Sequence, residues 1–371
     1  MAACAPDLPD AAGLAVDELD TPALLVDLDA LERNLATMAR FFAGRPAHLR
    51  PHVKTHKCPE IARRQLAAGA RGITCAKLSE AEVFAAAGLD DILIANQIVG
   101  PAKIARLMAL ARRARVTVAV DDATNVAALS QAAQREGLRL PVLVEVDIGM
   151  GRCGVAPGEP ALALARKVAD APGLELAGLM GYEGHLVLVR DPAERKARVE
   201  AALAPLIGTK ELLERQGLPV PVVSGGGTGT YDVTGAYPGV TEVQAGSYVF
   251  MDATYRPVRP EFEPSLFVLA TVISRPDPGR LVVDAGLKAT TGEFGPPQVV
   301  GFEGVESVRL SEEHGRITLT EGHATTLRPG DRVRLIPSHC CTTVNLHDRL
   351  YATRSGVVEG VWPIAARGCS W

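Results

Sequence analysis

Four short stretches of the 371-residue chain carry side chains able to do chemistry. The first is Arg50-Pro51-His52-Val53-Lys54-Thr55-His56-Lys57, at the end of a predicted strand. A lysine desolvated at the mouth of an apolar fold is a plausible Schiff-base amine, although a surface lysine in a basic loop reads the same way. The second is Glu145-Val146-Asp147-Ile148-Gly149-Met150-Gly151-Arg152-Cys153-Gly154. Two glycines ahead of an arginine let the backbone approach a flat ligand while the guanidinium points inward; a structural turn with a solvated arginine is the alternative.

The third, Ser224-Gly225-Gly226-Gly227-Thr228-Gly229-Thr230, sets four glycines among hydroxyls, a combination that presents backbone N–H groups to an anion. It lacks the spacing and the early position of a dinucleotide-binding fingerprint. The fourth is Pro337-Ser338-His339-Cys340-Cys341-Thr342-Thr343-Val344-Asn345-Leu346-His347-Asp348. If this segment is extended, His339 and Cys341 share one face and Cys340 faces away. An imidazole and a thiolate so placed can share a divalent metal, with Zn²⁺ favoured by the soft sulfur and open positions left for substrate. A core histidine beside two small buried cysteines remains the plain alternative.

These stretches need elements to hold them. From about residue 20 to 250, β-branched runs alternate with segments of helical period. Asp29 and Glu32 look like an N-terminal capping box, followed by a helix over 30–42. Pro101 opens another helix, with Ile104, Leu107, Met108 and Ala111 on one face. Strands are predicted near 47–53, 72–76, 91–95, 116–120, 141–147, 176–181, 221–224 and 241–244. Eight strands joined by single helices predict a (β/α)₈ barrel, whose active site lies at the C-terminal strand ends, with an open doubly wound sheet as the alternative. After Pro260 the pattern turns to strands and turns, predicting a mostly antiparallel β domain over 261–371 behind a barrel over 20–260 and an N-terminal segment over 1–19. The run Ala23 to Asp27 could pair with either domain.

Composition narrows the partners. With 39 basic and 43 acidic residues, a net charge of −4, and no basic run longer than Arg63-Arg64 or Arg112-Arg113, neither nucleic acid nor an anionic membrane surface is expected. No apolar run approaches the ~18 residues of a membrane span, and Met1 to Thr21 is acidic, so a cytoplasmic location is expected. Seven cysteines, Cys4, Cys58, Cys75, Cys153, Cys340, Cys341 and Cys369, read as reduced thiols.

Taken in order, these segments resemble the fold-type III, alanine-racemase-like pyridoxal-phosphate (PLP) enzymes, within them the D-threonine aldolase and D-serine dehydratase group. The resemblance also rests on Asp20-Thr21-Pro22-Ala23, Gln244-Ala245-Gly246-Ser247-Tyr248, Met251-Asp252-Ala253-Thr254-Tyr255 and Asp284-Ala285-Gly286-Leu287-Lys288. It implies that Lys54 carries PLP, that Arg152 faces the pyridine nitrogen, that Tyr182 lines the ring, and that Gly226, Gly227, Thr228, Gly246 and Ser247 serve the phosphate. It implies a divalent metal (Zn²⁺, with Mn²⁺ or Mg²⁺ as alternatives) on His339 and Cys341, and a homodimer. Departures from the aldolase pattern are Ala76 in place of a glutamine, Cys341 in place of an aspartate, and Tyr182-Glu183-Gly184-His185 in place of tyrosine followed by histidine. His185 or a metal-bound hydroxide is then the expected base. The resemblance implies an aldolase that cleaves D-β-hydroxy-α-amino acids to glycine and an aldehyde. A D-serine or D-3-hydroxyaspartate dehydratase, giving a 2-oxo acid and ammonia, is the alternative; a PLP-carrier protein and a racemase match the β domain less well.

Overall fold

The computed structural model describes residues 11–371. Residues 1–10, with Cys4, lie outside it. The first strand, β1 (Ala23–Asp27), runs into a helix over Leu28–Phe42. The Asp27 side chain, rather than the expected Asp29, accepts the Ala30 N–H at 3.0 Å and caps this helix. Asp29 and Glu32 instead hold the Arg354 guanidinium.

Eight parallel strands follow: β2 (His48–Leu49), β3 (Ile73–Cys75), β4 (Asp91–Gln97), β5 (Arg115–Val120), β6 (Leu140–Glu145), β7 (Leu174–Gly181), β8 (Val222–Gly225) and β9 (Glu242–Val243). Their lateral order is β2-β9-β8-β7-β6-β5-β4-β3. The ring closes between its two ends: the Arg71 N–H donates to Leu49 O at 2.9 Å, the Thr74 N–H donates to Pro51 O at 2.8 Å, and His52 bridges Thr74. The predicted (β/α)₈ barrel is therefore what forms. Strands covered on both faces read as continuous apolar runs, and Leu93, Ala119, Leu143 and Met180, one from each of four successive strands, pack into one buried cluster. Helices over Pro59–Ala67, Leu78–Ala86, Pro101–Ala111, Ala123–Glu136, Glu159–Asp170 and Pro192–Arg215 alternate with the strands. The one over 123–136 shows why: Asp122 accepts the Thr124 and Asn125 N–H groups at its start, and left-handed Gly137 ends it.

The remaining strands are β10 (Leu266–Asp277), β11 (Arg280–Val283), β12 (Gln298–Val300), β13 (Val305–Leu310), β14 (Gly315–Leu319), β15 (Arg332–Ile336), β16 (Arg349–Arg354) and β17 (Val357–Pro363). They form a second sheet with β1 inserted between β10, antiparallel, and β16, parallel. The open question about residues 23–27 is thus decided for the second sheet. By its contacts the chain forms two compact units that interleave along it. The barrel unit takes Met38–Lys54, Ile61–Gly246 and Cys369–Trp371. The β unit takes the described residues up to Thr37, Thr55–Glu60 and Ser247–Gly368. The reason is register: β1 pairs residue by residue from Ala23↔Leu269 to Val26↔Leu266, so it belongs to the sheet that it completes.

Candidate active site

In the barrel unit, Lys54 sits in a single turn of 3₁₀ helix directly after β2. It alone is exposed in a stretch, 51–59, whose other residues are buried. The chain there delivers one amine to the surface and packs everything beside it.

The loop after β6 is tied down by Asp147, whose Oδ1 accepts the Gly149 and Gly151 N–H groups at 3.0 and 3.1 Å. The Gly151 N–H holds this carboxyl below the usual range, burial opposes, and the charge on His185 adds a smaller pull in the first direction. Gly154 closes the turn at φ +104, where a Cβ would lie 2.6 Å from Asp147 N. The loop projects Arg152, whose Cζ is 5.5 Å from the Tyr182 ring centroid. His185, in the 3₁₀ turn Gly184–Leu186 after β7, lies over the same loop: a Cβ on Gly149 would be 3.3 Å from its Cε1. Tyr182 in turn borders the glycine loop after β8, since a Cβ on Gly227 would be 3.2 Å from its Oη. Arg152, Tyr182, His185 and Gly227 therefore converge at the C-terminal ends of β6, β7 and β8.

The glycine loop is held from below. Glu183, fully buried, accepts the Gly226 N–H at 3.3 Å, the Thr230 hydroxyl at 2.7 Å and the Thr234 hydroxyl at 2.5 Å. The Gly227 N–H donates to Thr230 Oγ1 at 3.2 Å. The N–H groups of Gly226 and Gly227, expected to face an anion, are thus spent inside the protein. Thr228 and Gly246 are buried at the same strand ends.

Beneath Arg152, Glu145 is only 4% exposed and accepts a hydrogen bond from Gln97 Nε2 at 2.5 Å. Burial pushes its carboxyl above the usual carboxylate range, and Gln97 and Arg152 pull it back only in part. Burial, followed by the charges of Glu145 and Asp121, also pushes the Cys153 thiol up, which keeps that sulfur protonated and a poor nucleophile.

In the β unit, the segment after β15 is not extended as expected. His339 is the N-cap of a short helix, Cys340–Val344. Turning rather than alternating, the chain brings the His339, Cys340 and Cys341 ligand atoms within 4.8 Å of one another, so Cys340 does not face away. Asp252, fully buried, organises this turn. Its Oδ2 bonds His339 Nδ1 at 2.8 Å and accepts the Cys340 N–H at 3.0 Å, while Oδ1 accepts the Tyr255 and Thr254 N–H groups at 2.8 and 3.1 Å. A carboxylate on Nδ1 leaves Nε2 as the ligating nitrogen. Burial works to lower the His339 pKa, but the Cys341 thiolate and Asp252 outweigh it and raise it to about 10. This position favours a cation, and the donor set of one imidazole and one or two sulfurs fits a divalent metal. The Cys341 sulfur also lies 3.3 Å from Thr55 Oγ1 and 3.7 Å from Ser247 Oγ. Thr55 follows Lys54 in the chain and Ser247 follows Gly246.

With this geometry in view, two known families match the chain in succession. The alanine racemase N-terminal domain matches residues 26–254, and a putative serine dehydratase domain matches 265–353. The chain belongs to the alanine racemase family. Within it, a D-threonine aldolase of Arthrobacter sp is 47% identical over 95% of this chain and 94% of its own length. A 3-hydroxy-D-aspartate aldolase of Paracoccus denitrificans (strain Pd 1222) is 41% identical over 98% and 96%. Among solved structures, D-threonine aldolase from Filomicrobium marinum superposes with a TM-score of 0.95 at 43% identity, over 98% of this chain and 100% of that one. A D-threo-3-hydroxyaspartate dehydratase, solved as a cysteine-to-alanine mutant in the metal-free form, superposes at 0.86 with 33% identity over 96% and 100%. Among the described residues no helix is long and apolar enough to cross a membrane.

Sequence reasoning passed over three residues that this family member uses to build its strand-end loops. Asp252 stood in a segment quoted for the resemblance without a role; an acid two residues from Phe250 in an apolar run is the signal it offered. Glu183 stood only as a departure, and Glu145 as the end of a strand. Each partners groups distant in sequence, which spacing does not reveal.

Proposed function

We propose that this chain is a PLP- and divalent-metal-dependent lyase that cleaves D-β-hydroxy-α-amino acids of the D-threonine type into glycine and an aldehyde. The observation that carries this reading is the near full-length similarity to an aldolase at 47% identity, against 33% for the solved dehydratase. Lys54 would hold PLP, with Arg152 at the ring nitrogen, Tyr182 at the ring, Thr228, Gly246 and Ser247 around the phosphate, and Gly226 and Gly227 shaping the loop that carries Thr228. His339 and Cys341 would hold the metal, for which the sulfur favours Zn²⁺ over Mn²⁺ or Mg²⁺. When bound, PLP supplies an electron sink at Cα and the metal a Lewis acid at the β-hydroxyl.

The chain's own residues do the rest. The guanidinium of Arg152 stays protonated at any working pH; it would donate a hydrogen bond to the ring nitrogen without transferring a proton to it. Asp252 fixes the tautomer of His339. His185, exposed over the Gly149 turn, accepts the β-hydroxyl proton as the Cα–Cβ bond breaks. A homodimer acting in the cytoplasm on a small amino acid completes the reading.

The second reading, a dehydratase giving a 2-oxo acid and ammonia, draws on one feature: a cysteine two residues after the histidine, where a cysteine mutation accompanies a metal-free form in the dehydratase relative. Incubation with D-threonine and D-serine separates the two. Glycine with acetaldehyde is expected; pyruvate with ammonia would replace the aldolase reading. Lys54→Ala should lose the visible absorbance of protein-bound PLP, and its persistence would remove Lys54 from the cofactor.

A further inference from the structure

We infer that Phe294 selects the substituent carried on the substrate's Cβ, favouring an aryl group over a carboxylate; this rests on the aldolase reading and adds a substrate class to it. The Phe294 ring stands edge-on to the His339 imidazole, with centroids 5.2 Å apart and planes at 87°. Tyr255 flanks the same imidazole at 6.2 Å and 35°. A β-hydroxyl oxygen held by an ion on His339 and Cys341 would leave the group on Cβ beside these residues, and on the imidazole side both neighbours are aromatic.

An exposed phenylalanine is common and by itself says little. This one is 54% exposed on a loop that is pinned to the ligand-bearing turn. Ser338 Oγ donates to Thr291 O at 2.9 Å, Thr291 Oγ1 lies 2.9 Å from Thr342 Oγ1, and the Thr291 N–H donates to Thr343 Oγ1 at 3.3 Å. The backbone at Thr291, three residues before Phe294, is therefore tied to the His339 turn, and the ring keeps its contact with the imidazole while about half of its surface is exposed. The charges around it oppose an anion. Glu293 precedes Phe294 and is exposed, and Asp252 lies behind the imidazole. Of the cations next to these walls in sequence, Lys288 is paired with Glu313 at 2.5 Å, and Arg256 is exposed in the turn after Tyr255. A carboxylate on Cβ would meet Phe294 and Glu293, whereas a phenyl ring would gain an aromatic contact.

The test uses holoenzyme with PLP and Zn²⁺, and compares kcat/KM for glycine formation from D-β-phenylserine, D-3-hydroxyaspartate and D-threonine. The aryl substrate should exceed the carboxylate substrate by at least about tenfold, the scale of one well-made aromatic contact. Phe294→Ala should lower that ratio about tenfold, through KM for the aryl substrate. A second readout needs no turnover: Zn²⁺-loaded, PLP-free protein titrated with benzohydroxamate and acetohydroxamate, chelators that differ in a phenyl and a methyl group. The phenyl chelator should bind more tightly, and Phe294→Ala should abolish most of the difference. Preference for D-3-hydroxyaspartate overturns the inference. So does an equal loss on all substrates with an unchanged hydroxamate ratio, or a ratio that moves in Arg256→Ala and not in Phe294→Ala. Absence of glycine from every substrate overturns the aldolase reading instead, and the role of Phe294 is then decided by the hydroxamate ratio.

Discussion

At the scale of single residues, each unit holds a buried carboxylate that acts on a candidate functional side chain, Asp252 on His339 and Glu145, through charge, on Arg152. Asp252 illustrates the type. Four hydrogen bonds satisfy it completely, which is the condition under which a fully buried acid is tolerable. Glu145 is less well provided, with a hydrogen bond from Gln97 and the charge of Arg152 nearby. Its folded pKa is raised above the unfolded value, so the ionised form is disfavoured by folding. The stability associated with that shift is fully present below the unfolded carboxylate pKa and is lost as pH rises through the folded one. Glu145→Gln removes the penalty. We expect the variant to melt at a higher temperature than the parent at neutral pH, with the gap closing as pH falls below the ordinary carboxylate range of about 4.3. Paired thermal melts across pH check this, and a variant that is less stable at neutral pH would show that the Arg152 contact outweighs burial.

At the scale of elements, candidate functional groups ride on turns that follow strands, and an acid holds the turns after β6, β8 and β15. The loop after β8 is the clearest case. Four glycines leave it with few side chains to pack, and a Cβ on Gly229 would lie 1.9 Å from the Val187 carbonyl oxygen, so its shape depends on outside partners. Glu183 supplies that shape through Gly226, Thr230 and Thr234. In Glu183→Gln one of the two acceptor oxygens becomes a donor facing other donors. We expect destabilisation of about 1.5–3 kcal/mol, the scale of hydrogen bonds to a charged group, together with weaker PLP binding. Urea unfolding and PLP titration measure the two effects, and an unchanged PLP affinity would separate the loop from the phosphate. The helix over Cys340–Val344 teaches the opposite lesson about periodicity. A strand-like spacing predicts that His339 and Cys341 share a face with Cys340 turned away, whereas a tight turn brings the ligand atoms of all three together.

At the scale of the whole molecule, two units share one chain without sharing a boundary. The chain leaves the barrel unit at Lys54–Thr55 and again at Gly246–Ser247. The β unit cannot be cut out at 260, because β1, from the N-terminal part of the chain, lies between β10 and β16. A fragment of residues 261–371 would expose the unpaired edges of both neighbours. It is expected to be unfolded or aggregated by circular dichroism and light scattering, and addition of a peptide spanning residues 11–37 should increase its ordered fraction. A soluble, cooperatively folding fragment would contradict the placement of β1.

Much of this was legible in the sequence. Apolar runs at regular intervals, interrupted by single helices, specify a parallel barrel because a strand buried on both faces has no other composition available to it. Lysine, arginine, a glycine cluster and a histidine–cysteine pair mark chemistry by residue type alone, and their order along the chain carried the family resemblance. What the linear chain could not express is which distant groups meet. The pairing of Ala23–Asp27, the cap at Asp27, the convergence of Arg152, Tyr182 and His185, the support of loops by Glu183 and of His339 by Asp252, and the contact of Phe294 with an imidazole 45 residues away all depend on tertiary packing. Local propensity and pattern act over a few residues, whereas a hydrogen bond or a ring contact is decided only where the folded chain returns to itself.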